Sequence, residues 1–146
     1  MLQRWPLLLA ALWSGGLSAL SFVAVPLAFA HFGNPALAGP YAARLFQIQS
    51  WSSLVVALLL LVWVRARAGF PDWKASYRAL LPWLLVAACA ALLQEWGVAP
   101  RIQDAQGAGA DRATWHHRAG VLLVLLQCLC AWRALGLLAF STARLR

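Results

Sequence analysis

Four stretches of the chain, 6–30, 40–64, 78–97 and 118–140, keep to apolar side chains for the ~20 residues that a helix needs to cross a hydrocarbon core about 30 Å thick. No water-soluble domain of this length has room to bury four such stretches. Composition agrees, since 63% of the 146 residues are hydrophobic and 11% charged, where a soluble domain carries roughly a quarter charged. The chain is therefore expected to be an all-α integral membrane protein, an antiparallel up-down bundle of four transmembrane helices in one domain (1–146), with the lipid bilayer as its solvent.

The first run opens after Arg4 and ends on Ala28-Phe29-Ala30, a pattern like a signal-peptidase site. Its apolar length exceeds the ~7 to 15 residues of a signal core, so it is read as a retained span. Ser14, Ser18 and Ser21 recur at helical spacing beside Gly15 and Ala19, giving a small-residue stripe along which membrane helices approach closely. Pro26 is expected to kink the last turns. Asn34 before Pro35 is a plausible N-cap, with proline at the first helical position; Gly39-Pro40 offers a second start.

The second run begins with an unusual density of polar residues: Arg44, Gln47, Gln49, Ser50, Ser52 and Ser53. Arg44, Gln47 and Trp51 share one face, which is expected to look into the bundle. A basic turn follows, in which Asp72 can cap the third helix. That helix presents Ala87, Ala88, Ala90 and Ala91, a second small-residue surface suited to the serine stripe of the first span. It ends on Gln94-Glu95-Trp96, and Glu95 is the one acidic residue attached to any of the long apolar runs. Residues 97–114 read as an exposed loop with one short helical turn, after which Trp115-His116-His117-Arg118 leads into the last run. Gln127 returns to nearly the face of His116 about three turns later.

Counting cations orients the bundle. Arg4, Arg65, Arg67, Lys74, Arg78, Arg144 and Arg146 fall on one side, against Arg101, Arg112 and Arg118, with Arg44 at that second edge. The richer side is cytoplasmic, so both termini are expected there. Arg133 comes out near the inner boundary, within reach of the headgroups. The inner cations Arg65, Arg67, Lys74 and Arg78 are suited to anionic lipid. They do not form the basic face that nucleic acid requires, and no nucleic-acid partner is expected despite a net charge of +8.

An up-down bundle then gathers an intramembrane polar cluster, Arg44, Gln47, Gln94, Glu95, His117 and Gln127, towards its outer end, with His31, His116 and Arg118 nearby. Charges inside spans usually pair, so an Arg44–Glu95 ion pair is expected. It has two readings: a structural pin that fixes helix register, or a proton or cation site in which Glu95 titrates. His31, His116 and His117 are candidate metal ligands, although His116 and His117 point about 100° apart on a helix and no cysteine or carboxylate motif accompanies them. No cofactor is therefore expected. Cys89, Cys128 and Cys130 read as small packing residues, and Trp5, Trp83, Trp96 and Trp115 as interface anchors. No nucleophile elbow, phosphate loop, zinc-protease motif or paired carboxylates are present, which points away from an enzyme.

Several short motifs, in order and spacing, add a family resemblance. They are Gly15-Gly16 through Phe22-Val23-Ala24-Val25-Pro26-Leu27-Ala28-Phe29, Ala38-Gly39 followed by Arg44-Leu45-Phe46, Pro100-Arg101-Ile102, and His117-Arg118 opening the last span. Together they resemble the transmembrane-protein-205-like family, the bacterial domain of unknown function 4149, over nearly the whole chain. The resemblance implies a four-span membrane protein without an assigned reaction, whose animal relatives are loosely associated with tolerance of toxic metal drugs. Family members often follow the His-Arg pair with Ser and then Asn; Gly120 and Val124 stand at those positions here, with Gln127 as a substitute polar group.

The expectation carried forward is a non-enzymatic protein of the bacterial inner membrane. It is either a small-solute or ion-handling bundle or an accessory subunit, with a homo-oligomer or a membrane protein as its partner. The alternative is a haem- or metal-binding redox protein using His31 with His116 or His117.

Overall fold

The computed structural model describes residues 5–67, 74–98 and 110–143, with the side chains of 35–36, 74–77, 98, 110–117 and 142–143 outside that description. The described residues are helical almost throughout and contain no strand. Helix α1 (Trp5–Ala19) passes through a π-helical turn (Leu20–Ala24) into α2 (Val25–Phe32); α3 spans Pro35–Ala66; α4 (Lys74–Leu92) ends in a second π-helical turn (Leu93–Val98); α5 spans Ala110–Ala143. Four segments are long and apolar enough to cross a membrane: Trp5–Phe32, Leu37–Ala66, Arg78–Gly97 and Arg118–Ser141. They coincide with the four apolar runs, and the chain is a multi-pass membrane protein.

Local chemistry explains where the helices bend and stop. Pro26 has no N–H, and its ring presses on the carbonyl one turn back. The π turn just before it widens the backbone there, with the Val25 N–H reaching back to the Leu20 carbonyl. The expected kink is thus taken up as one loosened turn. Gly33 ends α2 at φ 61°, a left-handed conformation that costs a residue without a Cβ little, and its N–H bonds to the Phe29 carbonyl at 3.2 Å. The Asn34 carbonyl then accepts from the N–H groups of Leu37 (3.1 Å) and Ala38 (3.0 Å), and Pro35 occupies the first position of α3. Of the two starts read from the sequence, this earlier one is used, and Pro40 is carried within the helix.

In the packed bundle α1 lies against α3 and α5, and α4 lies against the same two helices, so α1 and α4 face each other only across the diagonal. The serine stripe of α1 therefore does not meet the alanines of α4 as expected. Ser18 accepts from the Trp132 indole of α5 at 3.2 Å, while Ser21 bonds to Gln49 of α3 at 3.3 Å and lies 4.0 Å from Cys128 of α5. The alanines are instead buried against α3 and α5. The reason is the order of the ring: each helix touches its chain neighbours, and the first and third spans are not neighbours.

The contacts also fix register. Trp5 meets Trp63 edge to face (6.0 Å between centroids), the Trp13 indole donates to Ser53 at 3.1 Å, and Ser21 reaches Gln49. The partner's number falls as the first span's number rises. The two contacts from Ser18 and Ser21 to α5 behave in the same way. Each interhelical hydrogen bond of this kind contributes on the order of 0.6 kcal/mol in a membrane, and up to about 1.7. The remaining cohesion comes from the close fit of Ala10, Leu17, Ala57, Leu60, Val64, Leu84, Ala87, Ala131 and Leu138.

Candidate functional site: a polar layer inside the bundle

The polar half of α3 turns a different face inward from the one expected. Trp51 is exposed and Arg44 and Gln47 lie at the surface, while Gln49, Ser50, Ser53, Ala57, Leu60 and Val64 are buried. Both sets satisfy a helical repeat. The second wins because it is uncharged, leaving Arg44 at the surface, and because Ser50, Ser53 and Ala57 are small enough for helices to approach closely.

Four residues on separate spans lie at one level. Measured from the span ends at Trp5, Ala66, Arg78 and Ser141, the residues Ser21, Ser50, Glu95 and Cys128 lie about 20 to 26 Å in, at ~1.5 Å per residue. Contacts join them across the helices: Ser21 touches both Gln49 and Cys128, and the side chains of Gln47 and Ser50 face the Glu95 carboxyl. Gln94 and Gln127, one residue before Glu95 and Cys128, are buried at nearly the same height on their own spans.

The direct Arg44–Glu95 ion pair is not formed among the described residues. Arg44 Nη1 donates to Gln47 Oε1 at 3.0 Å, and Gln47 in turn faces Glu95. An amide thus stands between guanidinium and carboxyl, oxygen towards the cation and N–H₂ available to the anion. The physical reason is depth: Arg44 lies nearly two turns closer to the end of α3 than Ser50, beyond the level of the half-buried carboxyl. Ser50 Oγ lies alongside Glu95 without forming a hydrogen bond of good geometry.

The interior of the layer is unusual for a membrane bundle. Gln127 is 0% exposed, Gln49 1%, Ser50 1% and Gln94 5%. Gln127 Oε1 and Nε2, Gln49 Nε2, Gln94 Oε1 and Ser50 Oγ have no hydrogen-bond partner, although buried polar groups are nearly always paired. Gln127 lies on the buried face of α5 together with Gly120 and Val124. Sequence reasoning included Gln94 and Gln127 in the cluster but missed Gln49 and Ser50. Their signal was the small-residue repeat running on from them through Ser53, Ala57, Leu60 and Val64.

A π-helical turn carries the layer's charge. Leu93–Val98 holds Gln94 and Glu95, and Leu20–Ala24 holds Ser21. Single π turns inside α-helices occur frequently at functional sites. Elsewhere, Arg133 stacks over the Trp83 ring at 5.2 Å, so its charge is held by an aromatic face near the opposite end. Cys128 and Cys130 are buried packing residues, whereas Cys89 is exposed on the outer surface of the bundle.

The histidines do not form part of the described layer. His31 is exposed and packs edge to face on Phe32, with centroids 5.5 Å apart. The side chains of His116 and His117 lie outside the described residues, as do Asp72 and the side chain of Lys74. Among the described residues no three His, Cys, Asp or Glu side chains gather into a metal-binding group.

Four apolar spans around a buried, charged, amide-rich layer define the class: an integral membrane protein with an intramembrane polar site. The family follows from comparison with known proteins, in which the family described as Domain of unknown function (DUF4149) matches residues 8–111. The chain belongs to this family. The match takes in the first three spans and all of the layer except Gln127 and Cys128; the His117-Arg118 motif lies beyond it. No curated protein and no solved structure matches the chain.

Proposed function

We propose that the layer is an ion-handling site, with Glu95 as the group that binds and releases a proton or cation and Gln47 coupling it to the Arg44 guanidinium. One observation carries this reading: a carboxyl at a level where three glutamines are buried with amide atoms unpaired. A bundle needing only cohesion gains nothing from such groups, because packing of small apolar residues suffices and each polar group inside a span is expensive. The chain acts without covalent chemistry, as a carrier or as the ion-handling subunit of a larger membrane assembly, alone or as a homo-oligomer.

The setting is the cytoplasmic membrane of a bacterium. The spans alternate up and down as a single domain, both termini are cytoplasmic, and the layer is displaced towards the outer face. The cations at Arg65, Arg67, Lys74 and Arg78 then rest on the anionic inner leaflet, at about 1 kcal/mol each.

Transport by the purified full chain in liposomes tests the reading. Under an imposed gradient, vesicles containing the protein are expected to pass protons or a monovalent cation faster than protein-free vesicles. Rates no higher than those of protein-free vesicles for either ion overturn the carrier role.

A further inference from the structure

The unpartnered atoms of the layer are of mixed kind, and the mixture selects what binds among them. Gln94 Oε1 and Gln127 Oε1 are acceptors, Gln49 Nε2 and Gln127 Nε2 are donors, and Ser50 Oγ is either. Gln127 lacks a partner on both amide atoms, so turning its amide over changes nothing. A dehydrated cation engages the oxygens and is repelled by the two amide N–H₂ groups, which stay buried and unpaired at about 1–3 kcal/mol each. An apolar occupant leaves all of these atoms unpaired. Water satisfies donors and acceptors alike, with typically ~3 hydrogen bonds per buried molecule.

We infer that the layer binds a small cluster of ordered water molecules among Gln49, Ser50, Gln94 and Gln127, in contact with Glu95 at one edge. This rests on the site named under the proposed function but not on transport. The cluster is bounded on one side only by polar residues. Towards the Trp5 and Arg78 end the core continues as Leu17, Leu60, Leu84 and Leu138, and the Trp13–Ser53 pair there satisfies itself. Water is therefore confined to the Glu95 side of that apolar plug. A proton on Glu95 exchanges through the Gln47 edge, and its passage to the other face requires the plug to open.

A native thiol and a native indole make the test internal to the protein. Cys128 Sγ lies 4.0 Å from Ser21 Oγ at the layer, whereas buried Trp13 is paired with Ser53 beside the apolar plug. X-ray radiolysis of the purified full chain generates hydroxyl radicals from bound water in place, and these oxidise the nearest side chains. With each rate scaled to that of the unfolded chain, Cys128 is expected to be oxidised faster than Trp13, because bound water lies beside it. In Gln127→Leu, which removes one donor and one acceptor, the scaled Cys128 rate should fall towards that of Trp13. Comparable scaled rates for the two side chains in the native chain overturn the hydrated layer, whatever the variant does. The result is separable from transport: a dry Cys128 with ion flux present removes the water cluster alone, and a wet Cys128 without flux removes the carrier role alone.

Discussion

Glu95→Gln is expected to reduce ion flux through reconstituted protein to the level of protein-free vesicles, a loss of at least about tenfold, while the helical bundle remains folded. The substitution keeps side-chain length and an oxygen to accept from Gln47, the amide that faces the carboxyl. It removes the one carboxyl among the described residues of the layer, and with it the group that binds the ion. Removing a charge from a span does not destabilise a helix that packs by fit, so size-exclusion elution and far-ultraviolet circular dichroism should match the parent. Undiminished flux with intact structure would show that the ion does not use this carboxyl.

The largest effect on stability is expected from Ala87→Leu, in the apolar half of the bundle. Ala87 is completely buried among Leu60, Leu84 and Ala131 in the core cluster. Three added carbons find no free volume there, and overpacking of this kind typically costs about 1–3 kcal/mol. The comparison that isolates fit from hydrophobicity is Cys89→Leu, two residues away on the exposed surface. In lipid an outward leucine is as well solvated as a buried one, so that change should stay within about 0.5 kcal/mol. Unfolding by SDS titration measures both; equal losses would mean that Ala87 is not at a helix contact.

The four spans were legible because length and composition leave so little choice: a run such as Pro6–Phe29 has one use in a chain with this charge content. The start of α3 was legible too, since Asn34-Pro35 is a local signal that works through backbone geometry alone. That residues 110–114 are helical was not, because they belong to a polar segment without an apolar repeat. The inward face of α3 was misread for a different reason. Arg44, Gln47 and Trp51 form a helical repeat as regular as that of Gln49, Ser53, Ala57, Leu60 and Val64. What separates the two is the charge of Arg44, kept at the surface, and the small residues Ser53 and Ala57 in the buried set.

The site was read in part. Glu95 was found from the rarity of a carboxylate beside an apolar run, and its neighbours Gln47, Gln94 and Gln127 from polarity within the spans. The assumption that opposite charges meet directly failed at Arg44, where an intervening glutamine carries the contact instead. The π turn at Leu93–Val98 was not foreseeable, since no proline there forces the backbone to widen. The pairing of Ser21 with Gln49 and Cys128 depends on the order of helices around the ring, which no local pattern encodes.

That convergence of polar side chains from separate spans is what both the ion-handling proposal and the hydrated layer depend on, and a single cross-link tests it. Ser21 Oγ and Cys128 Sγ are 4.0 Å apart, a separation at which a Ser21→Cys variant brings two thiols within reach of a disulfide. Mild oxidation of that variant is predicted to join position 21 to Cys128 within one chain, seen as protection of both thiols from alkylation while Cys89 remains reactive. A variant that keeps Cys128 free under conditions that oxidise Cys89 would mean that the first and last spans do not meet at this level.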